Sequence, residues 1–208
     1  MTGAAPRRRP SVQRTSRADG YGAAVLLVVA ATDFEADLVD RARARVLVCG
    51  VGPVEAALAT AGALRDEPAS AVVQIGIAGA QTLPHASLAI GSEAVYCDVI
   101  DPRARIPRVE RVAPDEKLLE AAKRTLPDAH VLPIGTTARV GGGAGCEVEA
   151  MEGFGVLRAA ALADVPAVEV RAISNLVAEA DRSRWRVTDA LDALRAALPR
   201  LLEELGRA

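Results

Sequence analysis

The chain has 208 residues, half of them apolar, a formal net charge of −2 and 2% aromatic side chains. That length suits one domain with a substantial core. The weak charge gives no basic field for nucleic acid or anionic membranes, and so few aromatics leave no stacking platform for single strands.

Residues 1–22 carry Arg7, Arg8, Arg9, Arg14 and Arg17 among Pro, Ser and Gly. They cannot bury enough apolar surface to order themselves and read as a disordered basic tail, ahead of a single domain over 23–208. Ala23 to Ala31 is an apolar run with the length of a buried strand. Thr32 and Asp33 then open a short helix that carries Glu35. Arg45 to Cys49 is the second strand, and Gly50-Val51-Gly52 leads to a helix from Pro53 to about Arg65, with proline at a first helical position. Ala71 to Ile77 is the third strand and runs into Gly76-Ile77-Ala78-Gly79. A strand over Glu93 to Val99, a helix over Asp115 to Thr125 and a strand over Val131 to Gly135 follow.

Thr136 to Cys146 reads as a glycine-rich loop, and Ala150 to Leu162 as a helix whose Met151, Phe154, Val156, Leu157 and Ala160 recur at helical spacing. From Val168 to Ile173 apolar residues alternate with Glu169 and Arg171, the period of a strand with one face buried. Trp185 to Leu205 closes the chain as an amphipathic helix. Strands alternating with helices predict an α/β domain, its sheet mostly parallel and covered on both faces. No stretch approaches the roughly 20 apolar residues of a membrane span. Cys49, Cys97 and Cys146 form no C-x-x-C pair and read as reduced thiols, which places the chain in the cytoplasm. His85 and His130 lack metal-ligand spacing, so no metal site is expected.

Two polar residues stand out against this pattern: Glu152 on an apolar helical face, and Asn175 just past the end of a strand. Ends of parallel strands are where α/β folds gather ligand sites, so the carboxylate and the amide can face one pocket. Met151-Glu152-Gly153 followed by Arg171-Ala172-Ile173-Ser174-Asn175 resembles the purine nucleoside phosphorylase and nucleosidase superfamily. The fuller pattern EAMEGFG, RAISN and R-x-R-W, ending on Trp185, is most similar to the futalosine hydrolases of the menaquinone pathway. The resemblance covers roughly residues 24 to 204. It implies a three-layer, nucleoside phosphorylase-like α/β fold with a twisted central sheet, a homo-oligomer, no cofactor, and a small-molecule purine nucleoside as partner. The implied reaction is hydrolysis of the N-glycosidic bond of futalosine with release of hypoxanthine.

The resemblance also assigns roles. Glu35 falls where the family's glutamate activates the attacking water, which suits a bond that breaks through an oxocarbenium-like state; the alternative is a solvated acid at a helix start. Glu152 would hold both ribose hydroxyls beside Met151, the alternative being a structural salt bridge to an arginine. Glu149 stands one place behind the family's second glutamate, where this chain has Ala150. Asn175, oriented by Ser174, can accept from a protonated N7 and donate to a 6-oxo group, which complements hypoxanthine; the alternative is an Asn that caps a loop.

Val51, Ala78 and Gly79 sit in the loops that line the ribose and the water or phosphate pocket in the family, and Thr137 in the base-binding loop. Residues 66 to 81 hold no arginine and Ile77 replaces the family's hydroxyl, so the resemblance favours water over phosphate as nucleophile. The base loop lacks the family's aromatic, a place that Phe34, Phe154 or a partner subunit would fill. Trp185 reads as an anchor at a helix start. Within the superfamily, an adenine-releasing nucleosidase or a phosphorylase is the rival reading; a nucleoside-binding protein without turnover is the rival of another class.

Overall fold

A computed structural model describes residues 25–99, 103, 107–141 and 145–208. The basic tail and the first two residues of the predicted first strand lie outside the described residues.

In chain order the elements are β1 Leu27–Ala30, α1 Asp33–Ala36, β2 Arg45–Val48, α2 Pro53–Asp66, β3 Val72–Ala80, β4 Leu88–Tyr96, β5 Arg111–Val112, α3 Glu116–Thr125, β6 His130–Thr136, β7 Val148–Ala150, α4 Gly153–Leu162, β8 Ala167–Leu176 and α5 Val187–Leu205. Local chemistry sets several of the boundaries. Asp115 caps α3 by accepting from the Lys117 and Leu118 amides, and Pro53 opens α2 where no amide proton is needed. The apolar stripe of α5 buries Leu194, Leu198, Leu201 and Leu202, about 1.5–3 kcal/mol each in transfer free energy.

Among the described residues the strands form one sheet in which five of the eight pairings are parallel. β8 lies between β3 and β4, parallel to the first and antiparallel to the second. Because β3 also pairs with β7, β7 with β6 and β6 with β4, five strands close on themselves. Ala78, Ala80, Ala89, Ile134, Val148 and Ile173 fill that closed part. Helices α3 and α5 cover one face, where Leu118, Leu194 and Leu198 pack on Val28, Val73 and Val170. Helices α2 and α4 cover the other, with Ala56, Leu64, Val156 and Leu157 against Leu27, Val29 and Val72.

Four expectations need correction. Met151 and Glu152 do not lie on a helical face: Val148–Ala150 is a short strand, and α4 starts only at Gly153, with Glu152 at its N-cap. Pairing of β7 with both β3 and β6 holds Val148 and Glu149 extended, and pairing with β6 extends Ala150 too, so the helix starts only after Glu152. Asn175 lies inside β8, because that strand continues along β3 to Leu176 through an irregularity at Ala78/Gly79. The fourth strand begins at Leu88, five residues earlier than its composition suggests, through pairing with β8. Finally, Glu169 and Arg171 do not face solvent: β8 is central and both side chains are buried.

Candidate active site

A cavity of about 560 Å³ opens at the ends of β1, β3 and β8, the size of a small-ligand site. Each residue expected at the site from the sequence lines it: Glu35, Val51, Ala78, Gly79, Thr137, Met151, Glu152, Ser174 and Asn175. Glu35 and Glu152 come from chain segments more than a hundred residues apart, so only the sheet brings them together.

Glu35 is buried, not solvated. Its Oε2 accepts from the amide and hydroxyl of Thr32, at 3.0 and 2.9 Å, so the third helical residue reaches back to the N-cap. Its Oε1 accepts from the Ile77 amide at 3.0 Å. The carboxylate is thereby fixed between the start of α1 and the glycine segment of β3. Gly76 makes this approach possible: a Cβ there would stand 2.8 Å from Glu35 Oε1 and 2.5 Å from Arg171 Nη1.

Glu152 accepts from the Gly52 amide at 3.1 Å and pairs with Arg171 Nη1 at 3.2 Å. The salt bridge expected as the alternative for this residue therefore exists, and the carboxylate still lines the cavity. Since Glu152 makes no cap bond of its own, the helix behind it is capped from outside: Thr136 Oγ1 accepts from the Phe154 amide at 2.8 Å.

Arg171 is the residue that sequence reasoning missed. It is 1% exposed, donates from Nε to Glu169 at 2.9 Å, and stands beside both Glu152 and Gly76. Burial works against its charge, but Glu169, Glu152 and Glu35 around it outweigh that effect and raise its pKa, leaving a fixed cation. Burial pushes the Glu169 carboxyl up, against the pull of Arg171. Two atoms of this network, Glu169 Oε2 and Arg171 Nη2, have no hydrogen-bond partner among the described residues. A buried charge needs opposite charges near it, and the pair of acids at 152 and 169 was the signal that could have exposed this arginine.

Asn175 is positioned by its neighbour. Ser174 Oγ lies 2.8 Å from Asn175 Oδ1 and 3.2 Å from the Ala78 carbonyl, and Asn175 Nδ2 donates to the Leu176 carbonyl at 3.0 Å. These contacts fix which end of the amide is oxygen. They leave Oδ1 one lone pair and Nδ2 one proton for a ligand. Gly79 faces the amide, where a Cβ would come within 3.1 Å of Nδ2.

The base loop is held by a residue not singled out from the sequence. Asp98 accepts from Thr137 Oγ1 at 2.8 Å and from the Ala138 amide at 2.7 Å. Of the aromatics considered for the base, Phe154 is stacked on Tyr96 with ring centroids 5.1 Å apart and does not line the cavity, whereas Phe34 does. Trp185 serves as the expected anchor, donating from Nε1 to the Glu179 carbonyl at 3.2 Å, and also forms part of the wall. Glu149 lines the cavity from β7 and accepts from Gln81. Burial, then the charge of Glu152, pushes the Cys49 thiol up to about 12, so it stays protonated and is no nucleophile at neutral pH. Among the described residues no group of three or more His, Cys, Asp or Glu side chains is arranged to hold a metal ion.

This geometry can be set beside known proteins. Residues 28–207 match the family model of the phosphorylase superfamily. The futalosine hydrolase of Streptomyces coelicolor is 35% identical over 182 residues, 75% of this chain and 77% of the relative. The chain belongs to the phosphorylase superfamily, in its futalosine hydrolase family. Another futalosine hydrolase, from Thermus thermophilus, is 42% identical over 64 residues, 31% of this chain and 28% of its own.

Among solved structures, a mutant futalosine hydrolase of Helicobacter pylori superposes with a TM-score of 0.78 at 16% identity, over 88% of this chain and 100% of that one. The S-adenosylhomocysteine nucleosidase of Streptococcus pyogenes, in complex with 5-methylthiotubericidin, gives 0.75 at 19% identity, over 91% and 99%. At those identities the superpositions establish the phosphorylase-superfamily fold. The mixed sheet with helices on both faces is that fold.

Proposed function

We propose that this protein hydrolyses the N-glycosidic bond of a 6-oxopurine nucleoside, futalosine, and releases hypoxanthine. The observation that carries this reading is the convergence of Glu35, Glu152 and Asn175 on one cavity, each held by its own hydrogen bonds. Glu152 accepts from the ribose hydroxyls, with Met151 against the sugar. Its charge, with that of Glu35, stabilises the positive character that grows on C1′ as the bond to N9 lengthens. Water attacks C1′ and its proton passes to Glu35, while the N9 electron pair leaves with the base. N7 takes up a proton from solvent as the bond to N9 breaks; Asn175 Oδ1 accepts from that N7–H and Nδ2 donates to O6, which stabilises the departing hypoxanthine.

Phosphate is a poor replacement for water here. Arg171 stands beside Gly76, but its Nε and Nη1 are paired with Glu169 and Glu152, and the carboxylates of Glu35 and Glu152 on the cavity wall repel an added anion. A homo-oligomer belongs to the same reading, supported by the exposed Val51, Val54 and Leu58 along the start of α2.

Chromatography of the bases released from futalosine, inosine and methylthioadenosine tests the reading, with and without phosphate. Hypoxanthine from futalosine in phosphate-free buffer is expected, with kcat lowered about 10²-fold or more in Glu35→Gln. Adenine from methylthioadenosine as the main product, or a strict need for phosphate, would overturn it.

A further inference from the structure

Cys97 and Cys146 take no part in the chemistry described above, and neither lines the cavity. Nothing in their spacing pairs them, yet the fold does. Cys97 follows β4, Cys146 precedes β7, and the two thiols are hydrogen-bonded to each other. Cys97 Sγ also reaches back to the Val95 carbonyl, at 3.3 Å. The strand between β4 and β7 is β6, and the residue it sets opposite both Val95 and Glu149 is Gly135, which adds no side chain at that level. Both cysteines are half-buried free thiols.

The segments that carry the two sulfurs are anchored differently. Cys146 is followed by Glu147, whose Oε1 accepts from the Thr82 amide and hydroxyl at 2.7 and 2.9 Å and from the Leu83 amide at 3.1 Å. That side is fixed. Cys97 is followed by Asp98, whose carboxylate holds Thr137 on the cavity wall and the Ala138 amide beside it. A disulfide brings its sulfurs to about 2 Å, well inside hydrogen-bond contact. The closing movement therefore falls on Cys97: its Sγ leaves the Val95 carbonyl and Asp98 is drawn along. The charged groups near the pair are Arg111 of β5, Glu93 of β4 and Glu149 of β7 around Cys146, and Asp98 beside Cys97. Burial pushes both thiols up, Cys97 to about 11, which slows exchange at neutral pH. It also denies the reduced pair the thiolate stabilisation that would favour it over a disulfide. The hydrogen bond with Cys97 and the charge of Arg111 both favour the Cys146 thiolate, so Cys146 is the attacking sulfur.

We propose that Cys97 and Cys146 form a reversible thiol-disulfide pair, a redox site outside the cavity whose oxidation loosens the hold of Asp98 on the base loop. The oxidant is a low-molecular-weight disulfide such as oxidised glutathione. The Cys146 thiolate attacks one of its sulfurs, the glutathione S–S bond breaks, and one glutathione thiolate leaves with the electron pair. Cys97, after losing its proton, attacks the Cys146 sulfur of the mixed disulfide, and the second glutathione leaves as a thiolate. Two protein thiols are thereby oxidised, one oxidised glutathione is reduced to two thiols, and the protons lost by the cysteines end on glutathione. The pair stands independently of the hydrolase reading.

The test equilibrates the full chain with mixtures of reduced and oxidised glutathione, alkylates the remaining thiols, digests without reduction and maps the peptides by mass spectrometry. The expected product is a peptide linked through Cys97 and Cys146, with Cys49 still free and both thiols restored by dithiothreitol. In the linked form the amides of Ala138 and Arg139, which are bonded to Asp98 and Thr137, should exchange with deuterium about tenfold faster. KM for hypoxanthine release should rise about fivefold, with kcat within about twofold. Cys97→Ser and Cys146→Ser, treated alike, should show neither change. Thiols that stay free, or that end as separate glutathione adducts, overturn the pair. A linked protein whose Ala138 exchange is unaltered overturns the coupling to the base loop. Because mapping and exchange need no turnover, a protein that releases no hypoxanthine in either state refutes the hydrolase reading alone.

Discussion

Replacing Arg171 by Met isolates the buried charge network, because methionine keeps much of the volume while the cation disappears. Glu169, fully buried, and Glu152, 4% exposed, then face each other without the guanidinium between them. Removing one partner of a buried ion pair costs about 3–5 kcal/mol. For Glu169 the cost has a ceiling, since the group can take up a proton. From an ordinary carboxyl value of 4.5, protonation at pH 7 costs about 3 kcal/mol, at 1.36 kcal/mol per pH unit. In a domain of this size about 3 kcal/mol lowers Tm by about 6–12 °C.

The sign of the pH dependence follows from the same residue. Burial already raises the folded-state pKa of Glu169, and loss of Arg171 removes the charge that lowers it. A raised carboxyl pKa means that the native protein holds a proton the unfolded chain has released. The stabilisation is thus complete below about pH 4.5 and is lost as pH rises toward the folded pKa. Arg171→Met is therefore expected to regain stability relative to the wild type as pH falls from 7 to 5. Calorimetric unfolding at both pH values reads this directly. The double variant Glu169→Leu/Arg171→Met, which removes the stranded acid as well, should recover most of the loss. A Tm loss under about 2 °C at pH 7, or a variant that gains stability as pH rises, would refute the reasoning.

Other outcomes follow from the cavity. Asn175→Asp removes the Nδ2 donor and sets a negative charge against O6; kcat/KM for hypoxanthine nucleosides should fall about 10²-fold or more, and the 6-oxo preference over 6-amino substrates should shrink. Unchanged discrimination between inosine and adenosine would show that the amide does not read the base. Gly76→Ala forces a methyl group against Glu35 and Arg171, so a loss of about 10²-fold in kcat is expected, and a wild-type kcat would count against the placement of Glu35. Leu58→Glu puts a charge into the exposed apolar strip of α2; light scattering after size exclusion should show a smaller particle than the wild type, and an unchanged mass would rule this strip out as the interface.

Much of this protein was legible because its local signals agree with its fold. Asp115, Pro53 and the leucines of α5 mark their elements through backbone chemistry and period alone, and tertiary structure only confirmed them. The residues around the cavity were legible for another reason: carboxylates and an amide beside apolar runs need partners, and the motifs that hold Met151, Glu152 and Asn175 resemble those of a nucleoside-cleaving superfamily.

What the sequence misrepresented sits at the middle of the sheet. Glu169 and Arg171 alternate with apolar residues as an open face would, yet β8 is flanked by β3 and β4 and roofed by helices, so the apparent polar face is an internal ion network. Alternation reports which side chains share a side of a strand, not whether that side meets water. In the same way, β7 was hidden because three residues are too short to show a period, and only their pairing with β3 and β6 makes them a strand. Composition, period and capping thus determined most of the strands and helices and which polar side chains need partners. Only the closure of β3, β8, β4, β6 and β7 decided which distant segments share a cavity and which charges neutralise one another, because those depend on neighbours that no local stretch of chain contains.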